Sequence, residues 1–409
     1  MKFGSGLPIG IRVLPVPVCY SEPARVSVIS TLVAAVCGLL GLAGTAYFVL
    51  SMWAALRYRT ESRKVVTSDF APSVSILKSL KGTDPHMFAA FVSHFTLDYP
   101  EYEMLFGVND RLDPAVAVVN QVQERFPHAK LQVIECPQVL GLNGKVSTLA
   151  QMLPHARYEH ILINDSDIVV PPDYLRRVMT PFADSNVGMV TTLYRAVAGD
   201  TLWSKLEALG LSSDFAGGVL LARAREGGIR FGLGATMATT KTAIGKIGGL
   251  AQLADYLGDD YELGARIAAS GFTVQLSGPI VETALPNYDF RGFWLHQMRW
   301  ARNVKDRRSA QYFGLIVTFG FAWAILAVLA CPFSWSTWGI LAIAAVARFA
   351  SAIVIGRGVL DDRQLLRDIW LLPLRDFVAL AVWVASYFGN TVVWRGLRFK
   401  LRKGKLEPV

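Results

Sequence analysis

Two long uncharged stretches constrain this chain more than any other feature. Val26 to Leu56 contains no Asp, Glu, Lys or Arg, and neither does Ser309 to Ala347. A membrane helix needs about 20 apolar residues, so the first stretch is long enough to span a bilayer once and the second nearly twice. With 52% hydrophobic and only 18% charged residues among 409, the chain is too apolar for an ordinary soluble enzyme. The first stretch is too long for the apolar core of a signal peptide. Residues 26–56 therefore read as an uncleaved anchor behind an N-terminal segment 1–25.

The formal net charge is +9, and much of the excess lies at membrane borders: Arg57, Arg59, Arg63 and Lys64, and a basic tail over 395–409. That placement suits anionic lipid headgroups and gives no reason to expect nucleic acid as a partner. The cysteines Cys19, Cys37, Cys136 and Cys331 are far apart and lack metal-ligand or redox spacing.

Residues 57–308 read as a cytoplasmic α/β domain, with short aliphatic runs alternating with capped helical patterns. Strands are expected at 74–77, 104–108, 131–134, 160–163 and 189–192, and the helices between them imply a largely parallel sheet. Asp113 and Pro114 open one of those helices as an acceptor for free N–H groups and a first-turn proline. In such a sheet, ligands collect beyond the carboxyl ends of the strands, which is where Asp110, Asp165 and Asp167 fall. Residues 309–394 read as transmembrane or interfacial helices, with spans near 312–332, 335–356 and 377–394. Three further crossings after the catalytic domain would leave the basic tail outside, against the positive-inside tendency, so one segment is expected to be re-entrant or interfacial. Residues 202–233 mix an apolar run with Arg223, Arg225 and Arg230. They read either as a membrane-surface segment or as a buried helix followed by a basic loop.

Four short stretches carry chemistry, each with a plainer alternative. Asp165-Ser166-Asp167 follows an apolar strand, so its carboxylates can share Mg²⁺ or Mn²⁺ with a diphosphate, or simply serve a turn. Asp110 can accept from a nucleoside or act as a turn residue. Asp260 stands in the first turn of a helix, where the local field keeps a general base ionised, although the same pattern serves as an N-terminal cap. Arg299 and Trp300 precede the membrane; they can neutralise a diphosphate and cover a sugar, or anchor the chain at the interface.

The order of these stretches resembles the processive and lipid-directed GT-A glycosyltransferases, most closely the ceramide glucosyltransferase family. The likeness runs through Ser75 to Gly82, Leu97-Asp98-Tyr99-Pro100, Asp110 with Asp113-Pro114, and Gly141 to Lys145. It continues through Asp165-Ser166-Asp167, Ile247-Gly248-Gly249, Asp259-Asp260-Tyr261 and Arg299-Trp300. The resemblance implies an α/β GT-A domain with transmembrane helices at both ends. It also implies a UDP-sugar donor held by Lys78, Asp110, Lys145 and Asp165, a divalent metal at Asp165 and Asp167, and catalysis by Asp260, Arg299 and Trp300. The first position of the family's Gln/Arg-x-x-Arg-Trp signature is His296 here. Bacterial hopanoid-associated glycosyltransferases share much the same motifs. The acceptor implied is therefore a membrane lipid, ceramide first and a hopanoid polyol second, and a bacterial chain of this kind would sit in the inner membrane. A processive polysaccharide synthase would need more spans for a polymer tunnel, and a non-catalytic membrane scaffold would not need the acidic residues.

Overall fold

The computed structural model describes residues 27–62 and 69–409. The N-terminal segment 1–25, the first residue of the anchor, and Arg63 and Lys64 of the basic cluster lie outside the described residues.

A seven-stranded sheet forms the centre of the domain. Its strands are β1 (Val74–Ser79), β2 (Tyr102–Val108), β3 (Leu131–Glu135), β4 (His160–Ile163), β5 (Val187–Val197), β6 (Met237–Thr240) and β7 (Thr273–Ala284), in the order β3-β2-β1-β4-β6-β5-β7. All pairings are parallel except those of β6 with β4 and β5. This is the mostly parallel α/β sheet expected from the alternation of short apolar runs and helices. β1 is buried over Val74–Lys78, as a strand covered on both faces must be. The carboxyl ends of β2, β1 and β4 lie side by side, so the loops carrying Asp110, Lys78 and Asp165 open on one edge.

Among the described residues, four helices are long and apolar enough to cross a membrane: Val28–Ser62, Ser309–Ala330, Trp335–Arg357 and Gln364–Ser386. The first packs against the second through glycines, where a Cβ on Gly44 would stand only 2.2 Å from Gly320 Cα. Small residues allow such close backbone approach between membrane helices. The last helix ends before the expected 377–394 span does, because Thr391–Trp394 forms a strand, β8.

Contacts fix where these helices lead. Ser309–Ala330 runs away from the sheet, and Cys331 Sγ after it lies 3.7 Å from the carbonyl of Ser30, at the far end of the first helix. Trp335–Arg357 returns, and the Leu360 carbonyl then accepts from Arg195 of β5 at 2.6 Å. Gln364–Ser386 starts there and finishes beside the same domain, where Arg302 donates to the Phe388 carbonyl at 2.9 Å.

Residues 202–226 form a layer between sheet and membrane helices. They fold as Leu202–Gly210, a π-helical turn over Leu211–Phe215, and Ala216–Glu226. Leu206, Leu209, Ala216 and Leu220 are covered, and Arg223 pairs with Glu61 at the end of the first membrane helix.

The basic tail is folded. β8, β9 (Leu397–Arg402) and β10 (Lys405–Pro408) make an antiparallel sheet through two tight turns, Arg395-Gly396 and Lys403-Gly404, in which both residues have positive φ. These turns match the natural twist of paired strands. Phe399 and Leu401 alternate with exposed Lys400 and Arg402, and the apolar face packs on Leu257 and Leu142. Backbone bonds from Leu257 to Gly404 and from Leu406 to Asp255 tie this sheet to the loop that precedes Asp259. We expect Leu401→Asp to detach it, because an unpaired carboxylate in an apolar cluster costs several kcal/mol. Transfer activity should then fall about tenfold to a hundredfold, with the main thermal transition little changed; unaltered kinetics would make the tail sheet peripheral.

Candidate active site

β1 and β4 place the first residues. Lys78, fully buried near the end of β1, donates from Nζ to the backbone carbonyl of Asp165 at 2.9 Å. Burial drives its pKa down to about 7, against the opposing pull of Asp167 and Asp165. Asn164, immediately after β4, is buried and donates to the Ala235 carbonyl and to the Tyr174 hydroxyl, which holds the start of the Asp165–Asp167 loop rigid.

The second element is the helix Gly144–Met152. Asn143 caps it, accepting from the Val146 N–H at 3.2 Å, and also donates to the Tyr256 carbonyl. Lys145 thereby faces inward, with Nζ 2.6 Å from Asp165 Oδ1 and 3.6 Å from Asp259 Oδ2. Burial opposes its charge, yet Asp165 and then Asp259 outweigh that, so the net shift of its pKa is upward.

The third element is the helix Asp259–Ala269. Asp260 Oδ1 accepts from the Tyr261 N–H at 2.7 Å and Oδ2 from the Gly234 N–H at 3.0 Å. A Cβ on Gly234 would lie 3.3 Å from Asp260 Oδ2 and 3.5 Å from Asp165 Oδ2, so this glycine separates the two carboxylates and leaves space between them. Burial, and then repulsion from Asp259, push the Asp260 carboxyl up to about 6 despite the backbone donor at Tyr261. Desolvation therefore outweighs the helix-terminus effect expected from the sequence.

Asp167 accepts from the Thr283 hydroxyl of β7, and burial together with Asp165 raises its carboxyl to about 6. Among the described residues, no group of three or more His, Cys, Asp and Glu side chains converges as a metal cage. Asp165 and Asp167 instead suit a hard divalent cation that takes its remaining ligands from phosphate oxygens and water, as Mg²⁺ usually does. Asp165 Oδ1 is engaged by Lys145 and Asp167 Oδ2 by Thr283, which leaves the other oxygen of each for such a cation.

The helix Phe290–Arg307 contributes the last group. Arg299 is half-buried, and desolvation lowers its pKa while Tyr288, Glu207 and Asp165 support its charge. Trp300 donates from Nε1 to His296 Nε2 at 3.1 Å and meets the Phe215 ring edge-on.

The structure thus brings Lys78, Lys145, Asp165, Asp167 and Asp260 together, with Arg299 in electrostatic reach of Asp165. Asp110 stands apart on an exposed loop after β2, where its Oδ1 accepts from the Leu112 N–H at 2.8 Å. Sequence reasoning missed Gly234, Thr283 and Glu207. A lone Glu inside the apolar run Leu206-Glu207-Ala208-Leu209 was the available signal for the last; the other two are set by strand pairing across the sheet and carry no local sign.

The profile of glycosyl transferase family 21 matches residues 36–407. Ceramide glucosyltransferase 1 of Caenorhabditis elegans is 25% identical over 354 residues, covering 83% of this chain and 74% of that protein. Ceramide glucosyltransferase of Komagataella phaffii is 32% identical over 108 residues, 25% of this chain and 21% of that one. A solved mannosyltransferase from Pyrobaculum calidifontis, in complex with GDP-Man and Mn²⁺, has 19% identity and a TM-score of 0.47, with 85% of this chain and 98% of that chain covered. The family match covers the central sheet, most of the apolar helices and every site residue described above, and the chain is a hexosyltransferase that belongs to glycosyl transferase family 21.

Proposed function

We propose that this enzyme moves a sugar from a UDP-sugar to a hydroxyl of a membrane lipid with inversion at the anomeric carbon, glucose to ceramide being the leading pair. The observation that carries the reading is Asp260: a half-buried carboxylate, oriented by two backbone N–H groups, across Gly234 from Asp165. Asp260 takes the proton of the lipid hydroxyl at one of its carboxylate oxygens. The hydroxyl oxygen bonds to the anomeric carbon as the bond from that carbon to the diphosphate breaks, and the electron pair leaves with the nucleoside diphosphate. Lys145 and Arg299 offset the charge growing on the departing group, a contribution worth several kcal/mol when the donors are preorganised. Asp165 and Asp167 would hold a divalent cation, which would supply further Lewis-acid stabilisation of the diphosphate.

The helix contacts support three crossings and one interfacial helix. The first helix enters, Ser309–Ala330 leaves and Trp335–Arg357 returns, while Gln364–Ser386 begins and ends on the catalytic side. That last helix contains Arg367, Asp368, Arg375 and Asp376, which a segment lying at the membrane surface accommodates more readily than a full span. Sheet and tail then share one face with Arg57 and Arg59, which the positive-inside tendency makes cytoplasmic. Three crossings leave no room for a polymer tunnel, so lipid glycosylation is favoured over polysaccharide synthesis.

The test is a transfer assay on purified protein in lipid. UDP-glucose and UDP-N-acetylglucosamine are crossed with ceramide and a hopanoid polyol, with and without Mg²⁺ or Mn²⁺. Metal-dependent glucosylceramide is the expected product. N-acetylglucosamine on the hopanoid would keep the mechanism and replace both substrates, whereas no lipid product with any pairing would overturn the reading.

A further inference from the structure

On the membrane side of the crevice lies a second polar site that the chemistry above does not use. Glu207, on the helix Leu202–Gly210, has a side chain only 6% exposed, and its Oε1 lies 2.7 Å from Nδ1 of His296. The contact is poorly directed for a hydrogen bond. Among the described residues, Glu207 Oε2 and His296 Nδ1 are both buried without a hydrogen-bond partner. Two neighbouring orphaned polar atoms are costly, about 1–3 kcal/mol each and more for a charged group. Buried groups of this kind are normally satisfied, so an unsatisfied pair calls for an explanation.

The bond at the far side of the imidazole narrows what satisfies them. His296 Nε2 accepts from Trp300 Nε1, so in the neutral ring Nδ1 carries the proton. The site therefore offers one acceptor, Glu207 Oε2, beside one donor, the His296 Nδ1–H. A hydroxyl group both donates and accepts and can complete both bonds; a phosphate has no proton for the carboxylate and would be repelled by it. The surroundings face the reaction. Tyr194, whose hydroxyl is held neutral by burial and by Asp260, Asp165 and Glu207 together, lies within reach of both the catalytic acids and this pair. On the other side, Leu206 and Leu209 of the same helix pack with Leu365, Leu371 and Leu372 of the interfacial segment.

We infer that Glu207 and His296 form the acceptor subsite and bind a second, non-reacting hydroxyl of an uncharged lipid headgroup, which orients the reacting hydroxyl toward Asp260. This inference rests on the proposed lipid acceptor. It makes the pair a determinant of specificity for lipids that carry at least two hydroxyls. A site built to hydrogen-bond a hydroxyl discriminates strongly against an analogue lacking it, because its own buried groups are then left unpaired.

The test uses the full-length enzyme in lipid with ceramide and with a matched ceramide lacking the secondary hydroxyl. Wild type should prefer the complete acceptor by about a hundredfold in kcat/KM. Glu207→Gln should lose that preference through a raised acceptor KM, while the KM for the UDP-sugar stays within about twofold. His296→Ala provides an independent reading if the first variant unfolds, since it removes the donor and leaves the carboxylate in place. Preference retained in a folded variant, or equal loss toward both acceptors, would overturn the subsite. Failure of wild type to glycosylate either lipid would instead sink the functional reading on which the subsite rests.

Discussion

Asp260→Asn should lower the transfer rate by about 10²–10⁴-fold, the usual contribution of a positioned general base. Asn keeps the shape of the side chain, and its single amide oxygen can still accept from one of the Gly234 and Tyr261 N–H groups, so the helix Asp259–Ala269 should remain in place at a modest cost in stability. Nucleoside diphosphate affinity should change little, because Lys145, Asp165 and Asp167 are untouched. The wild-type pH profile provides a second reading. The base works when ionised, and burial with Asp259 beside it raises its carboxyl to about 6, above the ordinary carboxylate value. The active form is therefore lost as pH falls through about 6, and the rate should rise with pH across that value. Full turnover by Asp260→Asn, or a flat profile from pH 5 to 7, would remove Asp260 from this role.

Replacing both Asp165 and Asp167 by Ala should abolish the gain in nucleotide affinity that Mg²⁺ or Mn²⁺ confers. The two carboxylates are the acidic groups available for the cation at the end of β4, and a hard divalent ion without anionic protein ligands is not retained against water. Losing Asp165 also leaves Lys145 with only the longer 3.6 Å contact to Asp259. Asp165 is nearly half exposed, so solvent screening keeps the cost to overall stability modest. Calorimetric titration of UDP with and without Mn²⁺ separates the effects: the metal-dependent part of the binding should vanish and the weak metal-independent part should persist. An unchanged gain on adding Mn²⁺ would move the metal site elsewhere.

Much of the domain was legible because its signals are local. The runs at β1 to β4 are short, aliphatic and followed by turn or capping residues, and each folded where its pattern indicated. β6 was missed because Met-Ala-Thr-Thr is short and carries no alternation; it runs antiparallel to its neighbours, so no crossover helix announces it. Gly278-Pro279 interrupts β7, where its pairing with β5 shifts register. In the tail, the Arg-Gly and Lys-Gly pairs at the two turns and the alternation Phe399, Lys400, Leu401, Arg402 were visible. Their basic composition pointed to a lipid surface, whereas half of those positions face the loop before Asp259.

The candidate site divides along the same line. Asp165, Asp167 and Asp260 were identifiable from residue type, position after a strand or at a helix start, and their order along the chain. Local sequence also determined that the chain enters a membrane, because no soluble fold buries uncharged stretches as long as 26–56 and 309–347. Which groups touch was decided only by tertiary structure. Lys145 reaches Asp165 because Asn143 anchors its helix to Tyr256; Gly234 separates two carboxylates because the segment before β6 crosses them; Glu207 meets His296 because two helices nearly ninety residues apart in sequence pack together. The pKa of Asp260 rises because desolvation grows with enclosure by the elements packed around it. Such enclosure is set by non-local packing, and no window of sequence contains it.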